Sequence, residues 1–109
     1  MHHGPEGDRV SALYAAAMRV DLRLRDVHSL KEKRGTVTKV IAQLGRTHSV
    51  SVAEIDYQEL WQRSALGIAA AAAQPGQLNR ILRAAERDLR ERSDLEVLAV
   101  AVSHLEEPM

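Results

Sequence analysis

Residues 28–34 read His-Ser-Leu-Lys-Glu-Lys-Arg and set three cations, Lys31, Lys33 and Arg34, at the start of a predicted helix. Cations at a helix N-terminus oppose the macrodipole by a few tenths to ~1 kcal/mol each, so three of them call for compensation. One source is an anion: free backbone N–H groups with Lys31, Lys33 and Arg34 could hold a phosphate. The other is packing, with the aliphatic stems laid over the core edge while Glu32 neutralises part of the charge. Residues 54–63, Glu-Ile-Asp-Tyr-Gln-Glu-Leu-Trp-Gln-Arg, form a second cluster with three carboxylates and the only tryptophan. Trp61, with Gln62, could contact a nucleic-acid base or a partner protein. The competing and favoured reading is that Trp61 plugs one end of the core. Arg63 is either a further phosphate contact or, with Gln62, a ligand for carbonyls of the same loop.

Other chemistries lack their residues. With no cysteine there is no disulfide framework, zinc ribbon, iron–sulfur cluster or thiol nucleophile. The five histidines show no metal-ligand spacing at i,i+3 or i,i+4, so no metal site is expected. The three carboxylates have no nearby His or Ser to make an acid–base site, and no phosphate loop, dinucleotide fingerprint or nucleophile elbow occurs. The expectation is a protein that is not an enzyme and uses no cofactor.

These clusters must be positioned by secondary structure. From Leu13 the chain alternates, with Ala16, Met18, Val20, Leu22 and Leu24 on one face and Ala17, Arg19, Asp21 and Arg23 on the other, which predicts a strand. Ser29 followed by Glu32 is a capping box opening a helix. Leu30, Val37, Ile41 and Leu44 form its stripe and Gly45 marks its end. Val50, Val52 and Ile55 predict a second strand whose broken alternation marks a bulge. Residues 66–72 are alanine-rich and thus ambiguous, but Gln74-Pro75-Gly76 follows too soon for a free helix, so a third strand is expected. Pro75 then opens a helix with Leu78, Leu82, Ala85 and Leu89 inward and Arg80, Arg83, Arg87 and Arg90 outward. With Glu86, Asp88 and Glu91 close by, that arginine row reads first as a solvated face with local ion pairs. Residues 95–105 predict the last strand.

The order β-α-β-β-α-β predicts an α+β fold of the ferredoxin-like plait type, a four-stranded antiparallel sheet with two helices on one face. Residues 13–105 are the expected domain, 1–12 a disordered N-terminal extension and 106–109 a short tail. The uncovered sheet face would carry Ala17, Arg19, Asp21, Gly67, Ala69 and Ala71, with no aromatic to stack bases as RNA-recognition motifs do. Such a flat face suits close packing against a second copy, so it is the candidate dimer face.

At 109 residues the chain is the size of one domain. Fifteen basic and fifteen acidic residues cancel, but residues 19–46 hold eight basic against three acidic, and residues 93–109 carry four acidic and no basic ones. A local field of that kind can attract a polyanion despite zero net charge. The longest apolar run, residues 65–73, is too short to span a bilayer, so the expected partners include no membrane and the expected location is the cytoplasm.

Val20-Asp21-Leu22-Arg23-Leu24, residues 28–34, Val52-Ala53-Glu54, Leu60-Trp61-Gln62-Arg63 and Leu66-Gly67 together resemble the YlxP-like family of small bacterial proteins of uncharacterised function. The resemblance runs from about Leu13 to Val102. It implies a ferredoxin-like fold and supplies no catalytic residues. Genes of the family commonly neighbour those of a translation initiation factor and a ribosome-binding factor, which implies a role near the ribosome. This chain departs from the family by its N-terminal extension and its alanine-rich third strand. The resulting expectation is a binding module for ribosomal RNA or a ribosomal subunit, with Lys31, Lys33, Arg34 and Arg63 on phosphates. The alternative is a homodimeric protein-interaction module without nucleic-acid contact.

Overall fold

The computed structural model describes residues 12–108, and the side chains of residues 13–105. The expected N-terminal extension therefore lies outside the described residues, save Ala12, which begins the first strand. The elements are β1 (Ala12–Leu24), α1 (Leu30–Thr47), β2 (Ser51–Asp56), β3 (Arg63–Ala72), α2 (Pro75–Glu91) and β4 (Leu95–Pro108). They assemble as one antiparallel sheet in the order β2-β3-β1-β4, the ferredoxin-like plait.

Period-two patterning decides which way β1 faces. Ala16, Met18, Val20, Leu22 and Leu24 are all buried, and with Leu66, Ile68 and Ala70 of β3 they form the floor of the core. Val37, Val40 and Leu44 of α1 and Leu78, Leu82, Ala85 and Leu89 of α2 close it from above. The alanine run is a strand because its alternate residues Ala70 and Ile68 fill this floor opposite Ala16 and Met18. Tertiary packing thereby overrides the helical preference of alanine.

The register puts Ala15 opposite Ala71, Ala17 opposite Ala69, and Arg19 opposite Gly67. All six residues expected on the uncovered face are therefore on it together. The bulge lies at Ile55, between the pairs Glu54–Leu66 and Asp56–Ala65. It turns the Ile55 side chain over Gly67, where an added Cβ would stand 3.0 Å from Ile55 Cγ2. A second shift, at Leu98 opposite Asp21 and Leu22, carries no sequence signal.

Three boundaries differ from the sequence expectation. Helix α1 continues through Gly45 to Thr47, where the His48 N–H closes the last turn on the Leu44 carbonyl. Gly45 sits on an exposed side with open space around it, so nothing forces a stop there. Strand β3 begins at Arg63, three residues early, and β4 runs to Pro108, pairing opposite Ala12, so the expected tail is largely strand.

Candidate functional site

At the α1 start, Ser29 Oγ accepts from the Glu32 N–H at 3.1 Å while the Glu32 carboxylate accepts from the His28 N–H at 3.0 Å. This reciprocal cap matches the expected box except that Glu32 reaches one residue further back. Lys31 and Arg34 project into solvent from this turn. Lys33 does not. Its side chain is fully buried, and its ammonium is 2.8 Å from Glu54 Oε2 while donating to the Tyr57 and Gln58 carbonyls at 2.7 and 3.1 Å. Ser64 Oγ, also fully buried, donates to the same Glu54 oxygen at 2.6 Å. Both sequence readings of Lys33, phosphate contact and snorkelling stem, are corrected: its three acceptors saturate the ammonium.

This cluster clamps the loop between β2 and β3 onto α1. Tyr57 has a left-handed backbone, φ 63°, which is costly for a bulky residue and persists only when over-determined. The determinants surround it. Its N–H donates to Asp56 Oδ1 at 2.8 Å, and its carbonyl accepts from Lys33 and from the Leu60 N–H at 3.0 Å. Arg63 lies over the Tyr57 ring, 4.5 Å from its centre, with Nε buried and unpaired among the described residues. Arg63 thus holds the loop by its face, and the carbonyl-binding role expected of it and Gln62 falls to Lys33. Gln62 contributes its own carbonyl, which accepts from the Leu24 N–H at 2.9 Å.

The clamped loop exposes Leu60 and Trp61, at 49% and 52% of their surfaces. Trp61 is therefore not the core plug that its size suggested. It follows Glu59, whose carboxylate is 4.0 Å from the Arg34 guanidinium, so the loop and the basic helix start adjoin.

The uncovered sheet face divides in two. Near the loop, Arg19 donates to Asp21 at 2.9 Å and to Asp56 at 3.1 Å. Asp56 is held below the usual carboxylate range by the Tyr57 N–H first and Arg19 second. Arg19 and Asp21 are thereby engaged within the chain. Farther along, Ala15, Ala17, Ala69, Ala71, Ser103 and Leu105 form a shallow apolar groove. The Tyr57 ring, 6.0 Å from the Arg19 guanidinium of this face, is capped by Arg63.

The helical layer is different. Of the nine Lys and Arg residues on the helices, all but Lys33 (Lys31, Arg34, Lys39, Arg46, Arg80, Arg83, Arg87 and Arg90) are exposed. Three carboxylates among them are used locally, Glu32 in the cap, Glu86 on Arg90 at 2.9 Å and Asp88 on His48 at 2.6 Å, while Glu91 is exposed and makes no ion pair with a described residue. Lys31, Lys39, Arg46, Arg80, Arg83 and Arg87 make no ion pair with a described residue. The local pairing expected along α2 is thus confined to Arg90.

Sequence reasoning missed Glu54 and the Tyr57 and Gln58 carbonyls as Lys33's partners, and Ser64 as a second partner of Glu54. A signal existed, because Lys33 falls between Leu30 and Val37 on the stripe that continues through Val40 and Leu44. A lysine on an inward stripe requires a buried counter-charge, and Glu54 is the carboxylate on the strand beneath.

The strings at residues 28–34, 52–54 and 60–67 meet at this clamp, and a family profile spans them. Residues 15–102 match the family described as "Protein of unknown function (DUF503)". The chain belongs to this family. It is 44% identical over 45 residues to the "Uncharacterized protein YlxP" of Bacillus subtilis (strain 168), an alignment covering 41% of this chain and 49% of that relative. The DUF503 chain thus aligns with about half the length of that curated relative. Among solved structures, "De novo designed protein Foldit4" superposes with a TM-score of 0.50 at 12% identity, covering 85% of this chain and 96% of that one. That likeness concerns the fold alone. Among the described residues no helix is long and apolar enough to cross a membrane.

Proposed function

We propose that this DUF503 protein is a non-catalytic binding module for structured RNA, ribosomal RNA being the expected class, and that it uses its helical layer. The observation that carries this reading is the row of exposed cations on α1 and α2, six of which pair with no described carboxylate. A surface with unpaired cations at repeated spacing gains counterion-release free energy on a polyanion. Lys31 and Arg34 continue this surface to the loop, where Trp61 offers an aromatic plane for an unpaired base. The alanine face supports no base stacking, which favours the helices as the RNA-facing side. A catalytic role for Ser64 is disfavoured because its hydroxyl is buried and donated to a carboxylate already paired with Lys33.

The test is co-sedimentation with ribosomal subunits across a salt series. Wild-type protein should associate saturably at low salt, with affinity falling steeply as salt rises. Replacing Arg80, Arg83 and Arg87 by Gln should reduce the log–log salt slope by about 2 to 3, near one per lost phosphate contact. No association at low salt, or an unchanged slope, overturns the proposal.

A further inference from the structure

The two edges of the sheet are built differently. Strand β2 has six residues, is broken by the bulge at Ile55, and carries Glu54 and Asp56. Those are the devices by which proteins keep an edge from pairing. Strand β4 has fourteen residues, and none of residues 97–105 carries a formal charge or is a proline. Three of the large exposed hydrophobics, Leu98, Val102 and Leu105, lie on it, at 36%, 45% and 52%. Val102 is opposite buried Met18 on the helix-covered side of the sheet, yet remains nearly half exposed because nothing flanks β4 on its outer side.

We infer that β4 pairs antiparallel with β4 of a second copy, about a two-fold axis at Val102, to make one continuous eight-stranded sheet. The occupant follows from the strand itself. Residues directly opposite in an antiparallel pair share a face, so each face must match itself under the two-fold. Centred on Val102, Val100 lies opposite His104 of the second copy on the helix side. Ala101 then meets Ser103 and Ala99 meets Leu105 on the open side. Across residues 99–105 every pair is uncharged; beyond them Leu98 and Val97 come opposite Glu106 and Glu107, so the paired stretch is those seven residues. Centred on Ala101, Leu105 would meet Val97, which the shift at Leu98 has turned to the other side: Val97 pairs with Leu22, Leu105 with Ala15. The shift at Leu98 therefore confines matched pairing to the residues beyond it, 99–105 about Val102. An edge of this length buries on the order of 600 Å² in total, below the range of tight complexes, so the dimer is reversible. This inference is independent of the RNA reading, because the helical cations are not in the interface.

The chain has no cysteine, so a single introduced thiol reports cleanly. In V102C the two Cβ atoms stand about 4.5–5.5 Å apart across the axis, close enough for a disulfide after modest adjustment. Mild oxidation should therefore convert most of the full-length variant to a covalent dimer, and denaturant should suppress this. A17C, on the open face, should stay monomeric under the same oxidation. Sedimentation of the cysteine-free wild type from about 1 to about 500 µM should show a monomer–dimer equilibrium. Val102→Lys should weaken that dimer at least tenfold while leaving thermal stability nearly unchanged, since the residue is half exposed. A strict monomer across that range, cross-linking of A17C in place of V102C, or a dimer indifferent to Val102→Lys overturns the inference.

Discussion

Lys33→Met removes the ammonium while keeping most of the stem. Glu54 would then retain its charge with only the Ser64 hydroxyl as a close partner, and the Tyr57 and Gln58 carbonyls would lose their donor. Removing one member of a fully buried pair costs about 3–5 kcal/mol. Here the Glu54 side chain is 18% exposed and Ser64 still donates, so some charge is relieved by solvent and the expected loss is about 2–4 kcal/mol. For a domain of this size that lowers the melting temperature by roughly 8–16 °C. Urea unfolding followed by circular dichroism measures the free energy, and the double variant Lys33→Met/Glu54→Gln completes the cycle. The double variant should be more stable than Lys33→Met alone, because the uncompensated charge is gone. If Lys33 were a surface cation, Lys33→Met would change stability by less than about 0.5 kcal/mol and show no coupling to Glu54. Either of those results refutes the clamp.

Trp61→Ala should change stability by less than about 1 kcal/mol because the ring is half exposed, yet weaken RNA association by about 5- to 100-fold if the ring stacks on a base. Thermal melts and filter binding at fixed salt separate the two effects. Asp94 is held below the ordinary carboxylate value of 3.8 chiefly by its hydrogen bonds from Arg92, both at 3.0 Å. A depressed folded pKa means that the stabilisation is present above the unfolded value and is lost as pH falls through the folded one. Asp94→Asn should therefore lower the melting temperature slightly at neutral pH, by the equivalent of less than about 1 kcal/mol for this partly exposed pair. The gap should close below pH 3.8; a gap that widens in acid contradicts the pairing.

Local chemistry was enough for much of the architecture. The alternation in β1, the cap at Ser29, Pro75 and the stripe of α2 are nearest-neighbour patterns that sterics and hydrogen bonding impose over a few residues. The bulge at Ile55 was legible for the same reason, since one misplaced apolar residue breaks a period of two. The resemblance to the YlxP-like family was likewise readable from short strings. What tertiary structure decided depends on partners distant in the chain. Whether Lys33 is a phosphate ligand or a buried clamp turns on Glu54 and the Tyr57 and Gln58 carbonyls, which only the folding of β2 and the loop after it beneath α1 brings to it. Trp61 lies in a loop without periodicity, so its exposure was set by how Lys33 and Arg63 tether Tyr57. The bare edge of β4 was equally invisible in one dimension. Its composition suits a central strand as well as an edge, and only the strand order β2-β3-β1-β4 leaves it without a neighbour.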